Sequence, residues 1–278
     1  MLYKFKDGVT ALDVYNFLKV ETEKLDFKNP FDVCKYNLMI TNLFPVLNTP
    51  YLILDQSQKV LTRARKHINN GMLFANIREL LCVPKHLTTV NRGNVPGEPI
   101  YYCSNDPGTS IYEIRPNPGC WVTTLQLNFN IDKVKLLALG LDKSKKLIGT
   151  ITEKDRGLHL FLEEHFGKQV EEPHDYYQTA IVVRGLLKKN ETGIIYPSVG
   201  SNKLGNNIAL KKGIMDNPRN WDFRFATVQE VISITDRYDL TVRCLYEAKS
   251  IDEYGNFKWE PVLDCIKGHK IDSSIYHT

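Results

Sequence analysis

The sequence predicts an α+β fold, and three observations carry that expectation. The first stretch has a helical pattern, the chain from Tyr51 onward carries short β-rich runs bounded by Gly, Pro, Asn and Asp, and helical segments fall between those runs without regular strand–helix alternation. Residues 1–58 are expected to form a small helical N-terminal region. Residues 59–278 are expected to form the main domain, ending in a C-terminal β extension.

In the N-terminal region, Thr10 is placed to cap a helix starting at Ala11, with Asp13 in its first turn where an acidic side chain suits the helix dipole. Leu12, Tyr15, Leu18 and Val20 form a rough apolar stripe. Asn29-Pro30 breaks the chain, and a second helix is expected over 31–43, ended by Pro45. Strands are then expected at 51–54, 99–104, 120–129 and 134–139. In the third of these, Trp121, Leu125, Leu127 and Phe129 share a face. Helices are expected at 108–114, 154–166 and 177–189, the last closed by Asn190. After Pro197 a polar loop at 200–205 leads into a strand at 207–210. Strands at 228–238 and 240–248 read as a meander joined near Asp239, followed by a strand at 257–262 that contains Trp259.

Composition excludes several function classes. The net charge of +4 comes from Lys and Arg spread along the chain, whereas a nucleic-acid binder concentrates base on one surface, so no direct nucleic-acid binding is expected. No apolar run is long enough for a membrane helix, and the N-terminus lacks a signal-peptide core, so a cytoplasmic protein is expected. The six cysteines form no CxxC pair and no zinc-finger spacing with His, so reduced thiols and no metal site are expected. His159 and His165 are six apart with Glu163-Glu164 between them, which is a helix face rather than a zinc pair. Lys143-Ser144-Lys145-Lys146 reads as a solvated basic turn. The absence of GxGxxG between a strand and a helix disfavours a Rossmann dehydrogenase.

Residues 88–116, TTVNRGNVPGEPIYYCSNDPGTSIYEIRP, are the segment richest in chemistry. They read as a turn-rich loop with Arg92, a strand with Tyr102, a tight turn, and a helical turn ending in Glu113. Spacing of this kind allows a cation, an aromatic and a carboxylate to converge on one ligand.

The segment resembles the core of the RES domain family, in which an Arg-X-Asn loop, a Gly-X-Pro turn, an aliphatic-Tyr strand and a small-residue turn ending in Glu follow one another. Here these are Arg92-Gly93-Asn94, Gly97-Glu98-Pro99, Ile100-Tyr101-Tyr102 and Thr109-Ser110-Ile111-Tyr112-Glu113. Glu113 lies 21 residues after Arg92 and 11 after Tyr102, as in the family. Upstream, Leu61-Thr62-Arg63-Ala64-Arg65 resembles the family's hydrophobic-Arg element. Downstream, Gly193-Ile194-Ile195-Tyr196-Pro197-Ser198 resembles its Gly-apolar-X-Tyr-Pro-Ser block, followed by Gly205-Asn206-Asn207. The resemblance covers about residues 60–215. Asn91 stands where the family commonly has Gly, and Gly93 where it often has an aromatic residue or Ala.

The resemblance implies an ADP-ribosyltransferase-like split β-sheet core with helices, and NAD consumed as substrate with no cofactor. It implies a toxin of a bacterial toxin–antitoxin pair, with a cognate antitoxin as partner and homo-oligomeric assembly. In that frame Glu113 and Arg92 are the catalytic candidates, and Arg63, Tyr102, Ser198 and Asn207 the NAD-binding candidates, with Arg65 an alternative to Arg63 and Asn206 to Asn207. The residue types suit the chemistry: a carboxylate steadies an oxocarbenium-like sugar, a guanidinium matches a pyrophosphate, and an aromatic face stacks on nicotinamide. The reaction expected is glycohydrolysis or phosphorolysis of NAD. Transfer of ADP-ribose to a protein, or a turnover-free nucleotide- or partner-binding module, remain the alternatives.

Overall fold

A computed structural model describes residues 8–43, 51–54, 59–130, 134–139, 152–168, 170, 172–187, 192–235 and 239–270. In chain order its elements begin with α1 (Ala11–Glu23), α2 (Pro30–Leu43), β1 (Tyr51–Leu54), β2 (Val60–Lys66), β3 (Ile100–Cys103) and α3 (Pro107–Glu113). They continue with β4 (Trp121–Phe129), β5 (Val134–Ala138), α4 (Glu153–Phe166), α5 (Tyr177–Leu186) and β6 (Gly193–Pro197). The last are β7 (Asn206–Lys211), α6 (Lys212–Asp216), β8 (Trp221–Ile234), β9 (Asp239–Ala248) and β10 (Glu260–Lys270). The fold is α+β, as expected. Two compact units divide the chain: residues 1–53, 84–100 and 135–197 form one, and residues 54–83, 101–134 and 198–278 the other.

In the first unit, α1 packs on α4 and α2 on α5. Helix α1 starts where the sequence says it should: Thr10 accepts from Asp13 N, and Asp13 accepts in return from Thr10 N at 2.9 Å. Helix α4 starts with the same reciprocal box between Thr152 and Asp155. The buried stripe of α1 is Ala11, Val14, Leu18 and Thr22. The expected stripe is therefore corrected: Leu12 and Val20 face solvent at 61% and 48% exposure. The reason lies on α4, where Gly157 offers no side chain. A Cβ there would sit 2.3 Å from Ala11 O and 2.6 Å from Val14 Cβ, so α1 turns its Ala11–Val14 side toward that gap. Burying Val14 and Leu18 there contributes roughly 1.5–3 kcal/mol each. Pro30 opens α2 as its first residue rather than stopping the chain before it, a position where its missing N–H costs nothing. Strands β5 and β6 pair in parallel, with Leu137 opposite Ile194, and α4 and α5 supply the crossover.

In the second unit, five antiparallel strands form a sheet in the order β10-β9-β8-β4-β2. Ala64, Val122, Val231, Leu240 and Val242 from this sheet form one core with Ile111 and Tyr112 of α3. The meander at its end is present, with two corrections. Strand β8 begins at Trp221, not at 228, because it pairs with the whole of β4 from Phe129 back to Trp121. The last strand runs over Glu260–Lys270 rather than 257–262. Trp259 instead anchors a loop, its indole N–H donating to Phe74 O at 2.8 Å. The basic turn at 143–146, the closing Asn190 and Pro45 lie outside the described residues.

Candidate functional site

Glu113 is the last residue of α3, and the local sequence explains why that helix forms where it does. Asp106 caps it, accepting from Thr109 N at 2.5 Å, and Pro107 occupies the first turn. The helix is then tied to β2: Ser110 Oγ donates to Thr62 O at 2.7 Å. Thr62 in turn exchanges backbone hydrogen bonds with Ser104 at 2.7 and 2.8 Å. These bonds join α3 to β2 and to the end of β3, so the position of Glu113 is set by three elements rather than one.

The carboxylate is half-buried and held from the loop after β6. Ser198 Oγ donates to Glu113 Oε1 at 2.5 Å, and Gly200 N donates to the same oxygen at 2.9 Å. Ser198 is itself fully buried and accepts from Ser201 N at 3.1 Å, so its hydroxyl proton is directed to the carboxylate. Gly200 is required by close approach: a Cβ there would lie 2.8 Å from Tyr112 O and 3.0 Å from Glu113 Cα. The sequence points to Glu113 and Ser198. It is silent about the Gly200 amide, because a backbone donor leaves no side-chain signature; the small-residue loop is the only hint.

Arg63 and Tyr102 also come together. Arg63 Nη1 donates to Tyr102 O at 3.1 Å, and the guanidinium carbon stands 5.1 Å from the centre of the Tyr101 ring. Among the described residues, Arg63 Nε is buried with no hydrogen-bond partner. Such an orphaned donor in a half-buried guanidinium suits an anion. Tyr101 is fully buried and Tyr102 half-exposed, so Tyr102 is the ring of the pair that can meet a ligand. Arg65 turns to a different partner, donating to Glu79 O, and burial and the neighbouring Arg63 charge lower its pKa. Burial pushes the Cys82 thiol up to about 11, against the pull of Arg63, and pushes Cys103 up as well. Asn206 and Asn207 are both buried on β7, at 2% and 6% exposure.

Arg92 belongs to the first unit and is 6% exposed. Its guanidinium caps the C-terminal end of α4: Nη1 donates to His165 O at 3.1 Å and Phe166 O at 2.9 Å, and Nη2 to Lys168 O at 3.1 Å. A cation there complements the negative end of the helix dipole. The guanidinium carbon also lies 5.5 Å from the Tyr176 ring centre. The loop that carries it is a tight turn in which Asn91 N donates to Asn94 O at 2.9 Å. Asn91 Oδ1 accepts from Arg92 N at 2.8 Å, a bond that a glycine at this position could not make.

Among the described residues, no three His, Cys, Asp or Glu side chains cluster as a metal site, and no helix is long and apolar enough to cross a membrane. No curated protein matches this chain. Among solved structures, the M. tuberculosis MbcT-MbcA toxin-antitoxin complex is similar at a TM-score of 0.40 and 10% identity, over 67% of this chain and 90% of that chain. Residues 60–225 match the RES domain, a span that takes in Arg63, Arg92, Tyr102, Glu113, Ser198 and Asn207. The chain belongs to the RES domain family.

Proposed function

We propose that this protein is an NAD-consuming enzyme that cleaves the nicotinamide–ribose bond and acts as the toxin of a toxin–antitoxin pair. The observation that carries the reading is the pair of donors on Glu113 Oε1, Ser198 Oγ at 2.5 Å and Gly200 N at 2.9 Å. They orient a half-buried carboxylate while its second oxygen, Oε2, takes neither bond.

In this mechanism the bond between ribose C1′ and the pyridinium nitrogen breaks, and its electron pair leaves with neutral nicotinamide. Glu113 steadies the positive charge that develops on the sugar. Water or phosphate then adds at C1′ and loses a proton. Arg63, with its orphaned Nε, takes the pyrophosphate, and Tyr102 stacks on the nicotinamide. Asn207 orients the ribose. Arg92, tied to three carbonyls at the end of α4, is assigned a positioning role in place of direct contact with substrate. A cognate antitoxin acts by covering Glu113 and Arg63.

The test is product analysis after incubating the full chain with NAD, with and without phosphate. The expected result is free nicotinamide, with ADP-ribose in one case and phosphorylated ADP-ribose in the other. Glu113→Ala should remove nicotinamide release while the circular dichroism spectrum stays unchanged. Full activity in a folded Glu113→Ala protein rejects the assignment, and appearance of ADP-ribosylated protein selects the transferase instead. Bound NAD without release leaves a binding module.

A further inference from the structure

A feature outside the Glu113 site lies at the edge of the five-stranded sheet. Cys265 on β10 stands directly opposite Cys244 on β9 in the antiparallel register. Leu240, Val242 and Cys244 alternate along β9 and are all buried, so they share the core face. Their cross-strand partners, His269, Lys267 and Cys265, share that face with them. Directly opposed residues in such a ladder have Cβ atoms roughly 4.5–5.5 Å apart. A disulfide needs about 3.8 Å, so closure requires an approach of about 1 Å.

Two further features make that approach feasible. Strand β10 is the edge of the sheet, and the register shifts between Pro261 and Cys265, so Cys265 is the first residue back in step after an irregular stretch. An edge strand with a bulge beside it moves more readily than a central one. Exposure differs as well: Cys244 is 3% exposed, whereas Cys265 is half-buried and open to a reagent.

We propose that Cys244 and Cys265 form a redox-sensitive dithiol that closes to a cross-strand disulfide and clamps β10 onto β9. With a small disulfide as oxidant, the Cys265 thiolate attacks one sulfur, forms a mixed disulfide and releases one thiol. The Cys244 thiolate then attacks the Cys265 sulfur and releases the second. One external disulfide is reduced to two thiols, the protein dithiol is oxidised, and the two cysteine protons end on the released thiols. Burial pushes the Cys244 thiol up to about 11 while the Lys267 ammonium draws it down, and the greater exposure of Cys265 makes it the thiol that meets the reagent first and Cys244 the one that resolves.

The experiment treats the full-length protein with oxidised glutathione, quenches with acid and alkylating agent, digests without reductant and maps the peptides by mass spectrometry. The expected result is that most of the protein carries a linked peptide pair containing Cys244 and Cys265, lighter by two hydrogens and reversed by dithiothreitol. In Cys244→Ser the glutathione adduct should persist on Cys265. If that variant does not fold, the wild-type map alone decides. The proposal is overturned if wild-type Cys265 keeps its glutathione while Cys244 is alkylated on unfolding. It is equally overturned if the cross-links formed join Cys265 to Cys34, Cys82, Cys103 or Cys120 instead.

Discussion

Ser198 Oγ donates a 2.5 Å hydrogen bond to Glu113 Oε1 across 85 residues of sequence. A fully buried hydroxyl bonded to a carboxylate contributes more than a neutral pair, about 1.5–3 kcal/mol. We expect Ser198→Ala to lose stability of that order. Nicotinamide release should fall by about 10²-fold, since the carboxylate loses one of the two donors that orient it. Urea denaturation and an NAD turnover assay on the same preparation check both numbers. An activity loss no larger than the loss of folded protein would reduce Ser198 to a structural residue.

Gly200→Ala acts on the same oxygen by a steric route. The added methyl would meet Tyr112 O at 2.8 Å and Tyr112 C and Glu113 Cα at 3.0 Å, and these are backbone atoms that cannot swing aside. The loop must therefore move, taking its N–H away from Glu113 Oε1. We expect a destabilisation of about 1–3 kcal/mol together with a larger fall in kcat than in NAD affinity, read by thermal unfolding and steady-state kinetics.

The fold and the site were legible in the sequence to different depths. Helix α1 announced its start through Thr10 and Asp13, and β4 matched its expected span because nine residues of mostly apolar pattern mark it locally. The start of β8 was missed although its signal is present: Trp221–Phe225 alternates apolar residues with Asp222 and Arg224 just after the Pro218–Asn220 turn, a strand pattern, and pairing with β4 carries the strand through it. Strand β10 was legible only at its start: Pro261, Gly268 and scattered charges give it no period, and pairing with β9 makes it a strand. At the site, Glu113 and Ser198 were visible as members of a family pattern. Their hydrogen bond, the Gly200 amide and the engagement of Arg92 with α4 depend on tertiary placement, which spacing does not encode.

Helix packing gives a test far from Glu113. Gly157→Ala puts a methyl 2.3 Å from Ala11 O and 2.6 Å from Val14 Cβ, so α1 and α4 must separate. The cost should exceed the modest gain in helix propensity, which is about 1 kcal/mol, and leave a net loss of roughly 1–3 kcal/mol. Hydrogen exchange should show the loss first in Ala11–Glu23.

Acid should weaken the fold through His67. Burial lowers its pKa from 6.5, against a smaller opposing effect of the Met72 carbonyl. The ring bridges Met72 O through Nδ1 and Thr123 Oγ1 through Nε2, each at 2.7 Å, an arrangement that suits the neutral ring with its proton on Nδ1. Because the folded pKa lies below the unfolded one, the unfolded chain binds the extra proton first. Stability is therefore full above about pH 6.5 and falls as pH drops from there toward the folded pKa. His165 and His269 are also lowered by burial and add in the same direction. Urea midpoints between pH 7.5 and 5 should decline, and His67→Gln should make that slope shallower; an unchanged slope would remove His67 from the account.

Arg92 separates two roles that the family pattern alone leaves merged. As a ligand for phosphate, its loss should raise the KM for NAD with little effect on folding. As the cap of α4, its loss leaves the carbonyls of His165, Phe166 and Lys168 without their donor. That should cost on the order of 3 kcal/mol. Arg92→Lys keeps the charge but not the planar fork that reaches three carbonyls at once, so it should recover only part of the stability. We expect Arg92→Ala to lower the unfolding temperature strongly, Arg92→Lys to fall between it and the wild type, and the KM for NAD of whatever folds to stay within a few fold. A stable Arg92→Ala protein with a greatly raised KM would instead put the guanidinium on the substrate, and the bonds to α4 would then have to open for NAD to bind.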